Sequence, residues 1–163
     1  MRLSPPRYIF TLAWIIFVID FLTKSWAISY LAGHSDIKLI GSFLTLTFVK
    51  NSGAAFGIAT GATIILSLFA IGVGLTIVRY AAMVNSRGWI VVMGLVLGGV
   101  MGNLTDRIFR SPGFLRGHVI DWIAIPHWPV FNIADSAIFI ATLIAMILTF
   151  RNIPPIGIKK GKE

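Results

Sequence analysis

Two aspartates stand where a carboxylate is costly to bury and useful once buried. Asp121 lies in the apolar stretch Val119-Ile120-Asp121-Trp122-Ile123, and Asp135 opens a long apolar run after Asn132. Desolvation between bulky apolar neighbours raises a carboxylate's pKa. Pro126 and Pro129 separate the two aspartates, so they do not share a helix and only a folded loop brings them together. Two carboxylates in contact share one proton, because both cannot ionise cheaply. Such a pair activates water for attack on a carbonyl and protonates a leaving amine. Other chemistries have less support. There are no cysteines, which excludes thiolate catalysis, disulfides and zinc–thiolate sites. The three histidines, His34, His118 and His127, sit on distant segments, so no metal site is expected. No serine or threonine has a general base nearby in sequence.

The remaining polar residues read two ways at this level. Asn132 and Asp135 have the spacing of a helix N-cap and its third-residue acid. Asp135 is therefore also explained as a cap, with the helix N-terminus stabilising its ionised form. Asp20 and Lys24 are four apart and share a helix face. They form either a mutually neutralising pair with Lys24 snorkelling outward, or the polar wall of a site or a contact to a lipid phosphate. Asn103, Asp106 and Arg107 share a face by spacings of three and four. Arg107 suits a helix C-terminus, whereas Asp106 opposes the dipole there, which favours a network bracing a site. Asn51 precedes Gly53 and Gly57, and Gly94, Gly98, Gly99 and Gly102 line an apolar segment. Small residues at such spacing let helices, or a lipid chain, approach closely.

The elements that must position these residues follow from composition. Of 163 residues, 56% are hydrophobic and 12% charged, with a mean hydropathy of +0.87. A soluble domain carries about 25% charged residues, so a water-soluble globule and a disordered chain are both excluded. The net charge of +8 comes from Lys and Arg at the ends of apolar segments rather than from a nucleic-acid face, and no nucleic acid is expected. A span needs about 20 largely apolar residues. Four spans result, at about residues 8–30, 59–78, 89–108 and 130–150, in one membrane-embedded domain covering 1–163. The basic N-terminal run also resembles a secretory signal peptide. Asp20 and Lys24 interrupt it without a clean cleavage site, which favours a retained helix.

Direction comes from the basic residues. Arg2, Arg7, Arg79, Arg87, Arg151, Lys159, Lys160 and Lys162 fall on one side, against Lys38, Lys50, Arg107, Arg110 and Arg116 on the other. The first side is then cytoplasmic and holds both termini. The connections at about 31–58 and 109–129 face outside, and the tail at 151–163 is a solvated basic end. Residues 37–49 are rich in β-branched and aromatic types and read as a small outer sheet or hairpin, with at most a short strand near 118–123 in the second connection. The expected class is thus an all-α integral membrane protein with a small β-sheet cradle at its outer surface. Asp20, Asn51, Asn103, Asp106, Arg107, Asp121, Asn132 and Asp135 all gather toward that surface.

Five blocks, in order, carry a resemblance. Asp20-Phe21-Leu22-Thr23-Lys24, Asn51-Ser52-Gly53-Ala54-Ala55-Phe56-Gly57, the run Gly98 to Arg107, Val119-Ile120-Asp121-Trp122 and Phe131-Asn132-Ile133-Ala134-Asp135-Ser136 resemble the motifs of bacterial lipoprotein signal peptidases (signal peptidase II). The resemblance spans nearly the whole chain. It implies an intramembrane aspartic endopeptidase near the outer face of the bacterial cytoplasmic (inner) membrane. The enzyme would cut diacylglyceryl-modified prolipoproteins just before the lipid-modified cysteine. It implies Asp121 and Asp135 as the catalytic dyad, with Asp20, Lys24, Asn51, Gly53, Asn103, Asp106, Arg107 and Asn132 supporting the site or binding substrate. It also implies membrane phospholipid around the protein, inhibition by globomycin-type compounds, and no metal or cofactor. Phe21 stands where many members have Gln, and 108–117 is longer than in many. Two other classes compete on the residues alone. One is a transporter or channel component using Asp20, Lys24, Asp106 and Arg107 as an ion path. The other is a structural subunit indifferent to Asp121 and Asp135.

Overall fold

The computed structural model describes residues 4–53 and 62–156. Within them the order is α1 (Pro5–Tyr30), β1 (Ile37–Ile40), β2 (Leu44–Asn51), α2 (Ala62–Tyr80), α3 (Arg87–Phe109), β3 (Val119–Ala124) and α4 (Ile133–Phe150). The four helices are long and apolar enough to cross a membrane. At 1.5 Å per residue the 26 residues of α1 reach about 39 Å, enough for a hydrocarbon core about 30 Å thick. Helical geometry satisfies the backbone polar groups internally, which a lipid environment demands.

The helix ends have local causes. Pro5 and Pro6 preset the first turn of α1, so it starts earlier than residue 8. The fourth helix begins at Ile133 rather than 130, because Phe131 is held in an isolated bridge to Ile123 and Asn132 caps the helix. The second helix runs on to Tyr80, past residue 78, and the expected start of that span at 59 lies outside the described residues. So do Arg2, the block residues Ala54, Ala55, Phe56 and Gly57, and the tail lysines.

Small residues set the packing. A Cβ on Gly98 would fall 2.7 Å from Ile16 Cβ and 2.8 Å from the Ala13 carbonyl oxygen, so α3 lies directly against α1 there. Gly94 meets Leu12 and Gly102 meets Asp20, so α1 and α3 run in the same direction. Gly88 faces Leu148 and Gly99 faces Ala134 and Ile138, which makes α4 antiparallel to α3. One apolar cluster joins Ile9, Ala13, Ile77, Ala81 and Leu97. Outside it, Phe69, Leu75 and Phe150 project unburied, as side chains facing hydrocarbon do.

The sheet caps the end of the bundle where α1 and α3 finish. Its order is β1-β2-β3, all antiparallel. Val49 pairs with Asp121, Lys50 with Ile120 and Asn51 with Val119. Facing pairs share a side of the sheet, and side chains alternate along each strand. Asn51 and Asp121 therefore project from one face. Leu46, Phe48 and Ile120 project from the other, where they pack with Ala27 and Leu31 of α1.

Candidate active site

The polar residues gathered by the helix ends and strand pair form two adjoining networks. The first is built on α1 and α3. Lys24, 1% exposed, lies 2.7 Å from Asp20 and 2.9 Å from Asp106. Asp20 also accepts the Ala134 amide at 2.9 Å, which satisfies one of the orphan N–H groups that begin α4. Asp106 holds Arg110 and accepts the Ile120 amide at 3.2 Å, tying α3 to β3. The helix-face spacing of Asp20 and Lys24 thus yields a neutralising pair that also braces two other elements. Arg107 turns away from Asp106. It donates to the Gly117 carbonyl at 3.1 Å and the Asn51 carbonyl at 3.4 Å. It holds the chain after α3 folded back, with the Gly117 amide returning to the Arg107 carbonyl at 2.9 Å.

The second network contains Asp121 and Asp135. Asp121, 1% exposed, accepts Asn51 Nδ2 at 2.8 Å on one oxygen and Asn132 Nδ2 at 2.6 Å on the other. Asp135 accepts Asn103 Nδ2 at 2.7 Å and the Asn132 amide at 3.3 Å. Asn132 therefore joins the two carboxylates, and it donates to Asn103 Oδ1 at 3.2 Å as well. It is also the N-cap of α4, since its Oδ1 takes the Asp135 amide at 2.9 Å. This completes a capping box. The cap and the polar cluster are one structure here, not alternatives.

Each asparagine has a fixed orientation for a chemical reason. An amide oxygen only accepts and an amide nitrogen only donates. Asn51 Oδ1 takes the Gly53 amide at 2.7 Å. Asn103 Oδ1 takes the Lys24 ammonium at 3.0 Å. Asn132 Oδ1 is held by backbone. All three amide nitrogens are left to face carboxylates. Gly53, whose amide Asn51 Oδ1 accepts, has a φ of +81°, and a Cβ there would lie 2.8 Å from Arg107 Nη2 and 2.9 Å from Leu66 Cδ1.

The pair differ in setting. Asp135 lines two cavities, one of about 440 Å³ shared with Asn51, Asn103 and Arg107, and one of about 660 Å³ walled by Trp128, Phe131 and Phe139. Asp121 is buried behind them. Burial pushes its carboxyl up to about 6. The Asn51 and Asn132 hydrogen bonds oppose this and the charge of Asp135 adds to it. Among the described residues no cluster of three His, Cys, Asp or Glu side chains could hold a metal ion. Phe21 is exposed on α1 beside Phe17 and takes no part.

Sequence reasoning passed over Arg110, Gly102 and Gly117. The i,i+4 spacing of Asp106 and Arg110 was a usable signal for the first. Gly102, read only as a packing residue, gives Asp20 the room to reach the start of α4. Gly117 contributes a carbonyl, and nothing in its residue type announces that.

The family described as Signal peptidase (SPase) II matches residues 12–151. A lipoprotein signal peptidase of Rhodococcus jostii is 42% identical over 95% of this chain and 78% of its own length. One of Mycobacterium leprae is 40% identical over 89% and 74%. Two solved structures, each described as a bacterial membrane enzyme, are 26% identical to the chain. The first has a TM-score of 0.73 over 94% of this chain and 92% of its own. The second has 0.76 over 87% and 92%. With four membrane-length helices and relatives of this kind, the chain is a multi-pass membrane peptidase and belongs to the signal peptidase II family.

Proposed function

We propose that this protein removes signal peptides from diacylglyceryl-modified bacterial prolipoproteins, cutting before the lipid-modified cysteine with water activated by Asp121 and Asp135. One observation carries the reading. Asn132 holds both carboxylates, donating its side-chain amide to Asp121 and its backbone N–H to Asp135, and no cation is paired with either among the described residues. A dyad held by neutral amides keeps its proton exchangeable, as acid–base work requires.

In the mechanism Asp135, at the cavity wall, is the ionised base. It takes a proton from water as the oxygen bonds to the scissile carbonyl carbon. Asp121, whose burial favours the protonated form, gives its proton to the carbonyl oxygen. The tetrahedral intermediate then collapses. The C–N bond breaks, the proton on Asp135 passes to the leaving amine, and Asp121 regains its proton from the intermediate's hydroxyl. The products are the signal peptide's new carboxylate and the amine of the lipidated cysteine. The two apolar cavities that flank α4 on either side of Asp135 suit a signal peptide and acyl chains. Globomycin-type inhibitors would compete there.

The same reading places the protein as one domain in the bacterial cytoplasmic membrane, with the sheet and dyad near the outer face and both termini inside. Basic residues at the helix ends remote from the sheet support it. The test is reconstitution in lipid with a diacylglyceryl-modified prolipoprotein and its unlipidated form. The lipidated substrate alone is cut, and sequencing of the product begins at the modified cysteine. Equal cleavage of both substrates would overturn the lipid requirement. A different new N-terminus would overturn the cut position.

A further inference from the structure

The β2–β3 strand pair has a second cavity on the face away from the carboxylates. It measures about 560 Å³ and lies where α1 and α3 end against the sheet. Its polar lining is Lys50, Arg110, Ser111 and His118, with no acidic residue among the described residues that line it. The side chains of Lys50 and His118 have no hydrogen-bond or ion-pair partner among the described residues, and only the Nε of the Arg110 guanidinium is engaged, by Asp106. A neutral imidazole supplies one N–H donor and a hydroxyl another. Unspent cationic and neutral donors therefore converge on one hollow, and the strands supply no acceptor for them.

The floor of the same cavity is apolar, from Ile28, Phe48 and Ile120, and Phe109 at its lip is 80% exposed. A free anion has no use for such a floor. A headgroup phosphate with its glycerol and first methylenes matches both halves. The cavity also lies at the ends of two membrane-length helices, the depth at which lipid phosphates sit. We propose that this cavity binds the phosphate of an anionic phospholipid, with Lys50 and Arg110 as the charged contacts and His118 and Ser111 as further N–H and O–H donors. The site is separate from the dyad, and its readout does not involve peptide cleavage.

The test uses the full chain in neutral detergent, with native mass spectrometry and an equimolar mixture of phosphatidylglycerol and phosphatidylcholine of matched acyl chains. The wild type retains phosphatidylglycerol in preference. Lys50→Gln lowers that preference about fivefold, the worth of one cation near a lipid phosphate. Lys50→Arg keeps it, and Lys50→Gln with His118→Gln lowers it further. Lys50 is exposed and its side chain has no partner among the described residues, so these proteins unfold at the wild-type temperature. Equal retention of both lipids by the wild type would overturn the proposal, as would a preference unchanged in the double variant. Displacement of phosphatidylglycerol by an equal concentration of inorganic phosphate would reassign the cavity to a free anion and overturn the lipid source.

Discussion

Two groups of aspartates lie next to each other at the sheet end of the bundle, and they are held by different chemistry. Asp20 and Asp106 are paired with Lys24, and Asp106 also with Arg110. Among the described residues Asp121 and Asp135 receive only amide N–H groups, from Asn51, Asn103 and Asn132. An ion pair fixes a carboxylate's charge and, once buried, locks the elements that carry it. Amide donors orient a carboxylate and still let a proton come and go. The contrast separates frame from chemistry among residues of one type within a few turns of helix. The networks meet at Asn103, whose oxygen accepts Lys24 and whose nitrogen donates to Asp135.

The sharpest way to break this contrast is to neutralise the amide-held pair. Asp121→Asn or Asp135→Asn removes a proton-transfer group while keeping size and an acceptor oxygen. Each should lower cleavage of the lipidated substrate by about 10³- to 10⁴-fold, near the upper range for a general acid or base. Thermal unfolding in detergent should change little. Retained cleavage in either variant would move the chemistry elsewhere.

The ion-held pair should respond in the opposite sense. Lys24→Met leaves Asp20 and Asp106 buried beside each other without their shared cation. Breaking a buried pair from one side costs about 3–5 kcal/mol. The expected result is a large fall in unfolding temperature, read by tryptophan fluorescence, with a smaller loss of activity per folded molecule because Asn103 loses the Lys24 donor that orients it. A variant of wild-type stability would show that Lys24 serves the site and not the frame.

Asn132 belongs to both sides of the contrast, so a partial change can separate its roles. Asn132→Ser keeps a good N-cap but removes the amide nitrogen that reaches Asp121 and Asn103. The lost charge-assisted hydrogen bond is worth about 1.5–3 kcal/mol, or roughly 10- to 100-fold in cleavage rate. Stability should hold because the capping acceptor remains. If stability falls and the rate per folded molecule does not, Asn132 is a cap alone.

How much of this was legible follows the range of each interaction. Spans, caps and the Asp20–Lys24 pair depend on residues within one helical turn or one apolar run, and sequence carries those directly. The strand character of 37–49 was also visible, since alternation and β-branching are local. The start of α4 was misjudged by three residues, because Phe131 obeys a bridge to Ile123 and not its own apolar neighbourhood. The shared face of Asn103, Asp106 and Arg107 points to a bracing network but not to its partners, and Arg107 is spent on the Gly117 and Asn51 carbonyls, a contact between segments that periodicity does not relate. The alternation of β2 and β3 decides which face receives Asp121 and which receives Lys50. That depends on register, which the long connection between the strands conceals.

The smallest expected effect concerns the proton itself. Burial raises the Asp121 carboxyl from 3.8 to about 6, against the pull of the Asn51 and Asn132 hydrogen bonds and with the help of Asp135. A raised pKa keeps the proton on Asp121 to higher pH, so the form with Asp121 protonated prevails below about 6 and declines above it. Since kcat/KM reports the free enzyme, it should fall about tenfold per pH unit on the alkaline side. Asn51→Ala gives the signed control. The Asn51 hydrogen bond favours the ionised form, so its removal lifts the Asp121 pKa further and moves the alkaline limb to higher pH, even as the maximal rate drops. A limb that moves to lower pH, or a flat profile from about pH 5 to 8, would mean that Asp121 does not hold the working proton. The comparison between ion-held and amide-held carboxylates would then have to be redrawn around Asp135 alone.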